Sequence, residues 1–571
     1  MTFLGIHDGH NASVALVAEG EVVFALQEER VVGEKNFTGF PQEALRVVLE
    51  EYGLKPGEVD HVALSSRFMT QGLDRESAIT AFQHQGGLRR VLLNKAAHMG
   101  LAQRWRERRS LAARMAWLED QGLPVARVTP VDHHDCHAAA AYHGLCGDDR
   151  PRLVLTLDGG GDWLCASVNV AREGVLERVA ETPAGHSVGD LYSRTTCMLG
   201  FTPWEHEYKL MGMAPYVDER YAEELAEIFD GYLGLNPRQP LEFRRKIFES
   251  TSHILPRLTR DLRGRRFDSI CAGVQLFSER LVVEWARRAI AHTGIDELLL
   301  SGGVFMNVKL NQRLMELPEV KSVAAFPSCG DESNAIGAAM WLHHAVTGER
   351  CRPLQDYYLG PDFDEGAVRA AMDEAGVEDW AEARRVKDIH SVIADALAGG
   401  AIVARVSGRM EFGARALGNR SILADPANPL VTHEINQRIK NRDFWMPFAP
   451  VMMRARAGDY LANPKELPSP YMMLAFGANG RHEEFIAAIH PADRTARAQL
   501  LEPGQNLGLE AILGHFGTAT GRHVLLNTSY NLHGSPIASG PREALDTFRR
   551  SGLRCLALDS WWLRKKDGTQ P

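Results

Sequence analysis

Two histidines four residues apart, His133 and His137 in VDHHDCHAAAAYHG, lie in a run whose alanine content favours helix, so both imidazoles project from one face. That geometry suits a metal ion. The carboxylates that could complete the set stand at strand ends, Asp158 before a triple glycine and Asp331 in PSCGDESNAIGAA. Two imidazoles with two carboxylates make a mixed nitrogen and oxygen site for iron, manganese or zinc, among which the residues do not choose. His134 points about 100° away on a helix and cannot share that face without distortion. A pair of ordinary packed histidines is the bland alternative.

The first turn gathers His7, Asp8, His10 and Asn11 at a strand end. A general base near neutral pH is what an attacking hydroxyl requires, and histidine has the unperturbed pKa nearest that range; polar turn filler is the competing reading. The C-terminal third has another character, in SGRMEFGARALGNRS, IKNRDFWMPFAP, DRTARAQ and LLNTSYNLHGSP. These place Arg409, Arg415, Arg420, Lys440, Arg442 and Arg497 in glycine-containing loops, beside Asn527, Thr528 and Ser529 at a strand end. Guanidinium forks and a lysine point charge with amide and hydroxyl donors make an anion pocket. Any one of these arginines is read more simply as a surface ion pair, but the four clusters together are not.

The elements that must position these groups follow from the hydrophobic pattern. The first 30 residues alternate as strand, polar turn, strand and strand, in the manner of a meander. Residues 152–170 (RLVLTLDGGGDWLCASVNV) repeat that grammar around Asp158 and three glycines. Glycine turns let backbone N–H groups approach phosphate oxygens, and two facing hairpins can embrace a polyphosphate. Residues 297–311 (ELLLSGGVFMNVKLN) add a strand that opens through Ser301, Gly302 and Gly303 into a helix, a place for a nucleotide against bare backbone. Helical periodicity marks residues 222–233 and 269–292. Residues 347–364 lapse into Pro, Gly and polar residues, which reads as a linker, with a second domain from about Tyr358. That domain begins with helices at residues 365–375 and 386–398 and a strand at 401–406. It ends with a strand at 524–526, a helix at 542–551 and a strand at 555–558, an α/β pattern.

Length and composition bound the rest. At 571 residues the chain exceeds what a single core usually supports, and 45% hydrophobic with 24% charged residues is ordinary for a folded protein. A net charge of -9 without long like-charge blocks argues against nucleic acid as a partner; the basic run at residues 104–114 reads as a solvated helix face. Eight cysteines without a C-x-x-C pair read as reduced thiols. No signal peptide or membrane span is legible, so the chain is expected in the cytoplasm.

In this order, HNAS at 10–13, EER at 28–30, HHxxH at 133–137, KLMGMAPY at 209–216, SGGV at 301–304, RMEFGxRALGNRSI at 409–422 and LNTS at 526–529 resemble the NodU/CmcH-type O-carbamoyltransferases over nearly the whole chain. The resemblance implies a duplicated, actin-like ATPase (ASKHA) domain over residues 1–350 and a YrdC-like α/β domain over 358–571. It implies that carbamoyl phosphate and ATP, with Mg(II), form carbamoyl-adenylate in the second domain, and that the first passes the carbamoyl group to a hydroxylated small-molecule natural product. By the same resemblance His10 is the base, with Asp8 an acceptor contact. His133, His137, Asp158 and Asp331 hold a divalent metal, Fe(II) first, with Mn(II) or Zn(II) as alternatives. Ser301, Gly302, Gly303 and Asn307 bind the nucleoside, and Arg415, Lys440, Arg442, Arg497, Asn527 and Ser529 bind carbamoyl phosphate and ATP. Ala414, Asp443, Met446 and Arg494 depart from the family pattern, where Pro, Glu, Arg and Gly are usual. A tRNA threonylcarbamoyl-type enzyme is the alternative, and a nucleotide-dependent sensor a third reading that leaves the C-terminal cations unexplained. The residues that choose the acceptor are expected in loops within 68–114, and a homodimer is the first guess for assembly.

Overall fold

The computed structural model describes residues 1–69, 75–83 and 100–568. Part of the 68–114 stretch therefore lies outside the described residues. The chain divides into two compact units, one of Met1–Glu28 with Asn36–Leu354, the other of Glu29–Lys35 with Gln355–Pro571.

The first unit holds two five-stranded sheets of one topology. In the first, Thr2–His7, Ser13–Ala18 and Glu21–Gln27 form the antiparallel meander, and Thr2–His7 continues in parallel into His61–Ser65 and then Val128–Val131. In the second, Arg152–Gly161, Leu164–Arg172 and Val175–Pro183 form the meander, and Arg152–Gly161 continues in parallel into Glu297–Ser301 and Ser322–Ala325. The two hairpins seen in the sequence are thus the matching corners of a duplication, the actin-like arrangement. Strands such as FLGI and VALV are buried on both faces because helices cover them.

Two of those helices carry the site, and glycines set their approach. Asn334–Thr347 packs on the first sheet, where a Cβ on Gly5 would stand 1.9 Å from the Ala335 carbonyl oxygen. The same helix crosses His133–Leu145, where a Cβ on Gly337 would stand 1.9 Å from the Cys136 carbonyl oxygen. No side chain larger than hydrogen fits either contact. Of the scaffold helices, the first ends sooner than its periodicity suggests, as Glu219–Asp230, with Leu233–Leu235 a short strand; the second runs Phe267–Thr293 and stops at Gly294, φ 69.

The second unit is an eight-stranded mixed sheet, in spatial order Ala381–Arg385, Trp561–Lys565, Cys555–Leu558, Val403–Val406, Arg420–Ala424, Val524–Ser529, Ala449–Met453 and Gln499–Leu501. Glu365–Glu374, Ile389–Ala398 and Pro541–Arg550 match helices read from the sequence. The helix Leu507–Thr520 was not anticipated, because Gly508, Gly514 and Gly517 interrupt its pattern; Asn506 caps it by accepting from Leu509 N at 2.9 Å. Among the described residues no helix is long and apolar enough to cross a membrane. All eight cysteines are free thiols.

Candidate active site

His133 opens its helix directly after the N-cap Asp132, whose carboxylate accepts from His134 N and Asp135 N. One turn on, His137 faces the same way. His133 Nε2 lies 3.2 Å from Asp158 Oδ2 and 3.5 Å from Asp331 Oδ1, and His137 Nε2 lies 3.4 Å from the same Asp331 oxygen. One ligand atom from each of the four falls within 4.8 Å of the others. Asp331 Oδ1 is buried without a hydrogen-bond donor. Two imidazoles, two carboxylates and an orphaned oxygen aimed at the same point fit a first-row divalent cation.

The electrostatics follow from this crowding. Burial opposes charge on His133, but Asp331 and Asp158 outweigh it and lift the ring to about 9. Burial and the neighbouring His133 push His137 down to about 3. Burial raises Asp331, and the charge of Asp158 adds to it. His134 turns away, its Nδ1 2.7 Å from Thr156 Oγ1.

A second layer orients these groups. Ser66 Oγ lies 3.0 Å from His133 Nδ1 and Ser301 Oγ 3.3 Å from His137 Nδ1, while Gly303 N donates to Asp158 Oδ1 at 3.0 Å. Asp162, which the sequence reading passed over as the end of DGGGD, accepts from the backbone N–H groups of Arg67, Phe68 and His133, locking the loop after His61–Ser65 to the start of the histidine helix. A Cβ on Gly161 would lie 2.2 Å from the His133 ring, and one on Gly302, at φ 101, 2.4 Å from the Leu157 carbonyl oxygen, so the glycine turns here let one segment pass another. Asn307 also points inward: its Oδ1 caps Leu310 N at 3.1 Å and its Nδ2 donates to Gln275 Oε1 at 2.9 Å. All four residues expected to hold a nucleoside have polar groups engaged within the protein, Gly302 through its carbonyl, which accepts from Phe305 N at 2.9 Å.

The first turn separates into two layers. Asp8 is buried, and its Oδ1 receives Arg114 Nη2 at 2.7 Å; Arg114 also donates to the carbonyls of Ser65 and Ser66. Asp8 is therefore placed to anchor the turn, and Arg114 leaves the otherwise solvated run that the sequence suggested. His7 is buried, its Nδ1 2.7 Å from Ser65 Oγ and its Nε2 2.9 Å from the His10 carbonyl, and burial pushes it down to about 4. His10 is partly exposed, its ring 5.7 Å from that of Trp204, and it lies close enough to Asp331 to act on that carboxyl.

In the second unit the cations divide. Arg420 is buried and donates to the carbonyls of Ser539, Ser407, Gly408 and Asn419, and Arg409 donates to those of Leu359 and Gly360; both tie loops together. Lys440 Nζ donates to Ser529 Oγ at 2.9 Å and Asn531 Oδ1 at 2.5 Å. Burial pushes its ammonium well below the usual lysine range, with Arg442 and Lys35 adding to the effect. Burial does the same to Arg497, with Arg415 and Arg442 adding. Lys35 was not among the expected residues; its segment is held here by Arg30 Nη2 donating to the Gly413 carbonyl at 2.6 Å. Asn527 donates to Gln499 Oε1 at 2.8 Å and leaves its own Oδ1 buried without a hydrogen-bond partner. Arg494 stands at φ 54, which accounts for the glycine usual there.

A duplicated sheet pair with a histidine–carboxylate cluster makes up one unit, and an α/β sheet with clustered cations the other. The family model for the carbamoyltransferase N-terminus matches residues 2–340 and that for the carbamoyltransferase C-terminus residues 394–565, so the chain belongs to the carbamoyltransferase family and is an enzyme of that class. It is similar to nodulation protein NolNO of Sinorhizobium fredii, at 30% identity over 98% of this chain and 79% of the relative. It is also similar to nodulation protein U of the same organism, at 26% with 100% of both covered, and to the uncharacterized protein sll1178 of Synechocystis, at 30% over 97% and 95%. Full-length HypF in its phosphate- and nucleotide-bound form aligns with 61% of this chain and 56% of its own at 15% identity and a TM-score of 0.32, too remote to carry an argument.

Proposed function

We propose that the chain is an ATP-dependent O-carbamoyltransferase that works in two stages, with residues 1–350 as the transfer domain and 358–571 as the adenylate-forming domain. Carbamoyl phosphate, ATP with Mg(II), and one water give carbamoyl-adenylate, pyrophosphate and phosphate at Arg415, Lys440, Arg442 and Arg497. The carbamoyl group then passes to a hydroxyl of a small-molecule natural product, His10 taking the hydroxyl proton and AMP leaving. The observation that carries this reading is the cation cluster: the charges acting on buried Lys440 and half-buried Arg497 are other cations, an arrangement that a polyanionic ligand neutralises. The buried Asn527 oxygen offers an acceptor that a carbamoyl N–H would satisfy.

His133, His137, Asp158 and Asp331 would hold a divalent ion, Fe(II) with Mn(II) or Zn(II) as alternatives, and His10 stands near it. When bound, such an ion supplies positive charge that steadies a leaving phosphate. The chain's own residues do the rest: Ser66, Ser301 and Gly303 fix the ligand side chains, and His7 holds the turn of His10 by its carbonyl. The alternative of a tRNA-modifying enzyme draws no support from the family match.

The test is an assay with ATP, carbamoyl phosphate and Fe(II) or Mn(II), with and without hydroxylated acceptors. Carbamoyl-phosphate-dependent pyrophosphate that is lost in Lys440→Ala, with AMP release that needs both acceptor and His10, is the expected result. Pyrophosphate release indifferent to carbamoyl phosphate sinks the scheme.

A further inference from the structure

EER at 28–30 has no part in the chemistry above, yet its arginine lies in Glu29–Lys35, the early segment that belongs to the second unit. Arg30 is buried, its Nε 3.3 Å from Glu29 Oε1, and its Nη2 donates to the Gly413 carbonyl at 2.6 Å. Gly413 opens the tip of a loop whose two arms are held by other bonds. On the way in, Met410 N donates to the Pro361 carbonyl and Phe412 N to that of Tyr357, each at 3.0 Å. On the way out, buried Glu411 accepts from Leu417 N at 2.8 Å and Arg420 N at 3.0 Å, and the Ala416 carbonyl accepts from Asn527 Nδ2 at 3.2 Å. Between the arms stand Gly413, Ala414 and Arg415. Gly413 is left-handed, φ 91, and Ala414 is exposed, its N–H donating to nothing among the described residues. Alanine leaves φ free where the proline usual at this position fixes it, so in this chain the turn depends on the guanidinium that grips it.

We propose that Arg30 is a positioning residue: its grip on the Gly413 carbonyl sets the turn that holds Arg415 in the cation cluster. This rests on the reading of Arg415, Lys440, Arg442 and Arg497 as the site of carbamoyl phosphate and ATP, and deepens it by naming what aims one of the four. The charge of Arg415 acts on Arg497, so the loop tip delivers its guanidinium to that cluster. A hydrogen bond with a charged donor is about twice as strong as a neutral one, which suits a contact that must fix a turn alone. A guanidinium fork meets its anion directionally, and a misplacement of about 1 Å at such a contact can cost about 100-fold.

The experiment uses the full chain, with inorganic tripolyphosphate titrated calorimetrically. The expected result is affinity weakened roughly tenfold in Arg30→Met, with no further weakening by that change once Arg415→Met is in place. Adding Ala414→Pro to Arg30→Met should recover most of the loss, because proline restores a fixed φ but no charge. Arg30→Lys keeps a cation beside Glu29 and runs the same comparison where Arg30→Met does not fold. Losses that multiply in the Arg30→Met, Arg415→Met double variant would mean that Arg30 acts on the anion through its own charge, and overturn the proposal. Wild-type affinity in Arg30→Met overturns it too, as does no recovery with Ala414→Pro. Pyrophosphate release from ATP with carbamoyl phosphate, measured on the same wild-type protein, separates the two ideas. Its absence beside a non-additive pair sinks the activation scheme alone, and weakening in Arg415→Met without weakening in Arg30→Met sinks the positioning role alone. Tripolyphosphate binding that ignores Arg415→Met removes both.

Discussion

The backbone N–H of Gly303 donates to Asp158 Oδ1 at 3.0 Å, which commits a glycine turn expected to face a nucleotide to holding a carboxylate of the histidine cluster. Two residues earlier the Ser301 hydroxyl stands against His137 Nδ1. Sheet and histidine–carboxylate cluster are thus coupled through one turn, since Ser301 ends the strand that pairs with Arg152–Gly161.

The first prediction tests that coupling. Ser301→Ala removes the contact that orients the His137 ring, and partners of this kind are worth roughly 10- to 100-fold in metal affinity. Chelator competition with Mn(II) or Zn(II) should show such weakening in Ser301→Ala and near-complete loss in His137→Ala. Equal affinity in Ser301→Ala and wild type would mean that the turn does not orient the ligand.

The second concerns Asp8 and Arg114, a pair with no side-chain exposure. Removing one partner of a buried pair strands a charge and destabilises by about 3–5 kcal/mol, whereas removing both is much milder. Arg114→Met should lower the thermal midpoint clearly, and Asp8→Asn with Arg114→Met should recover part of the loss. A double variant as unstable as the single would refute the stranded-charge explanation.

How much of this was legible depends on the range of the contacts. The His133 and His137 spacing is local, so helical period alone placed both rings on one face and sent His134 to Thr156. Asp158 and Asp331 were both expected at strand ends, but Asp158 lies inside Arg152–Gly161 and Asp331 opens a short turn before Asn334–Thr347, and their meeting depends on Gly5 and Gly337 letting helices close on their neighbours. Arg114 was hidden inside a basic run, and only its distant partner, 106 residues away, marks it as core. Arg409 and Arg420 look like their anion-pocket neighbours until the carbonyls they tie down are seen. The strand Arg420–Ala424 escaped notice because its first residue is a charged side chain buried among those carbonyls.

The third prediction is a pH dependence of stability. His143 is buried near the C-terminal end of the His133–Leu145 helix and pushed down to about 3 by burial, with His344 and Arg350 adding. An unfolded histidine titrates near 6.5, so between about 6.5 and 3 the unfolded chain binds the extra proton. The stability from keeping this ring neutral is complete above that window and is lost as pH falls through it. By roughly pH 4 the loss from this one group is about 3 kcal/mol, at 1.36 kcal/mol per unit. His143→Gln should therefore lose less stability than wild type between neutral pH and pH 4 in denaturation of the first unit. Parallel curves for the two proteins would show that the ring does not drive the acid transition.

The last prediction reads the cation cluster directly. Lys440 lies well below the ordinary lysine range because burial disfavours its charge and Arg442 and Lys35 repel it. A bound polyanion reverses that balance by favouring the ammonium form. Anion binding should therefore take up a proton, and affinity should fall as pH rises through the pKa that Lys440 has in the free protein, by up to roughly tenfold per pH unit. Inorganic tripolyphosphate serves as the probe, titrated calorimetrically in two buffers of different ionisation heat. The ligand's own titration is common to both proteins, so the difference between wild type and Lys440→Met isolates the lysine. Proton uptake should be larger in wild type, and the weaker binding of Lys440→Met should approach that of wild type as pH rises. Were uptake the same in both, Lys440 would already carry its charge before the anion arrives, and the cluster would owe its affinity to the arginines alone.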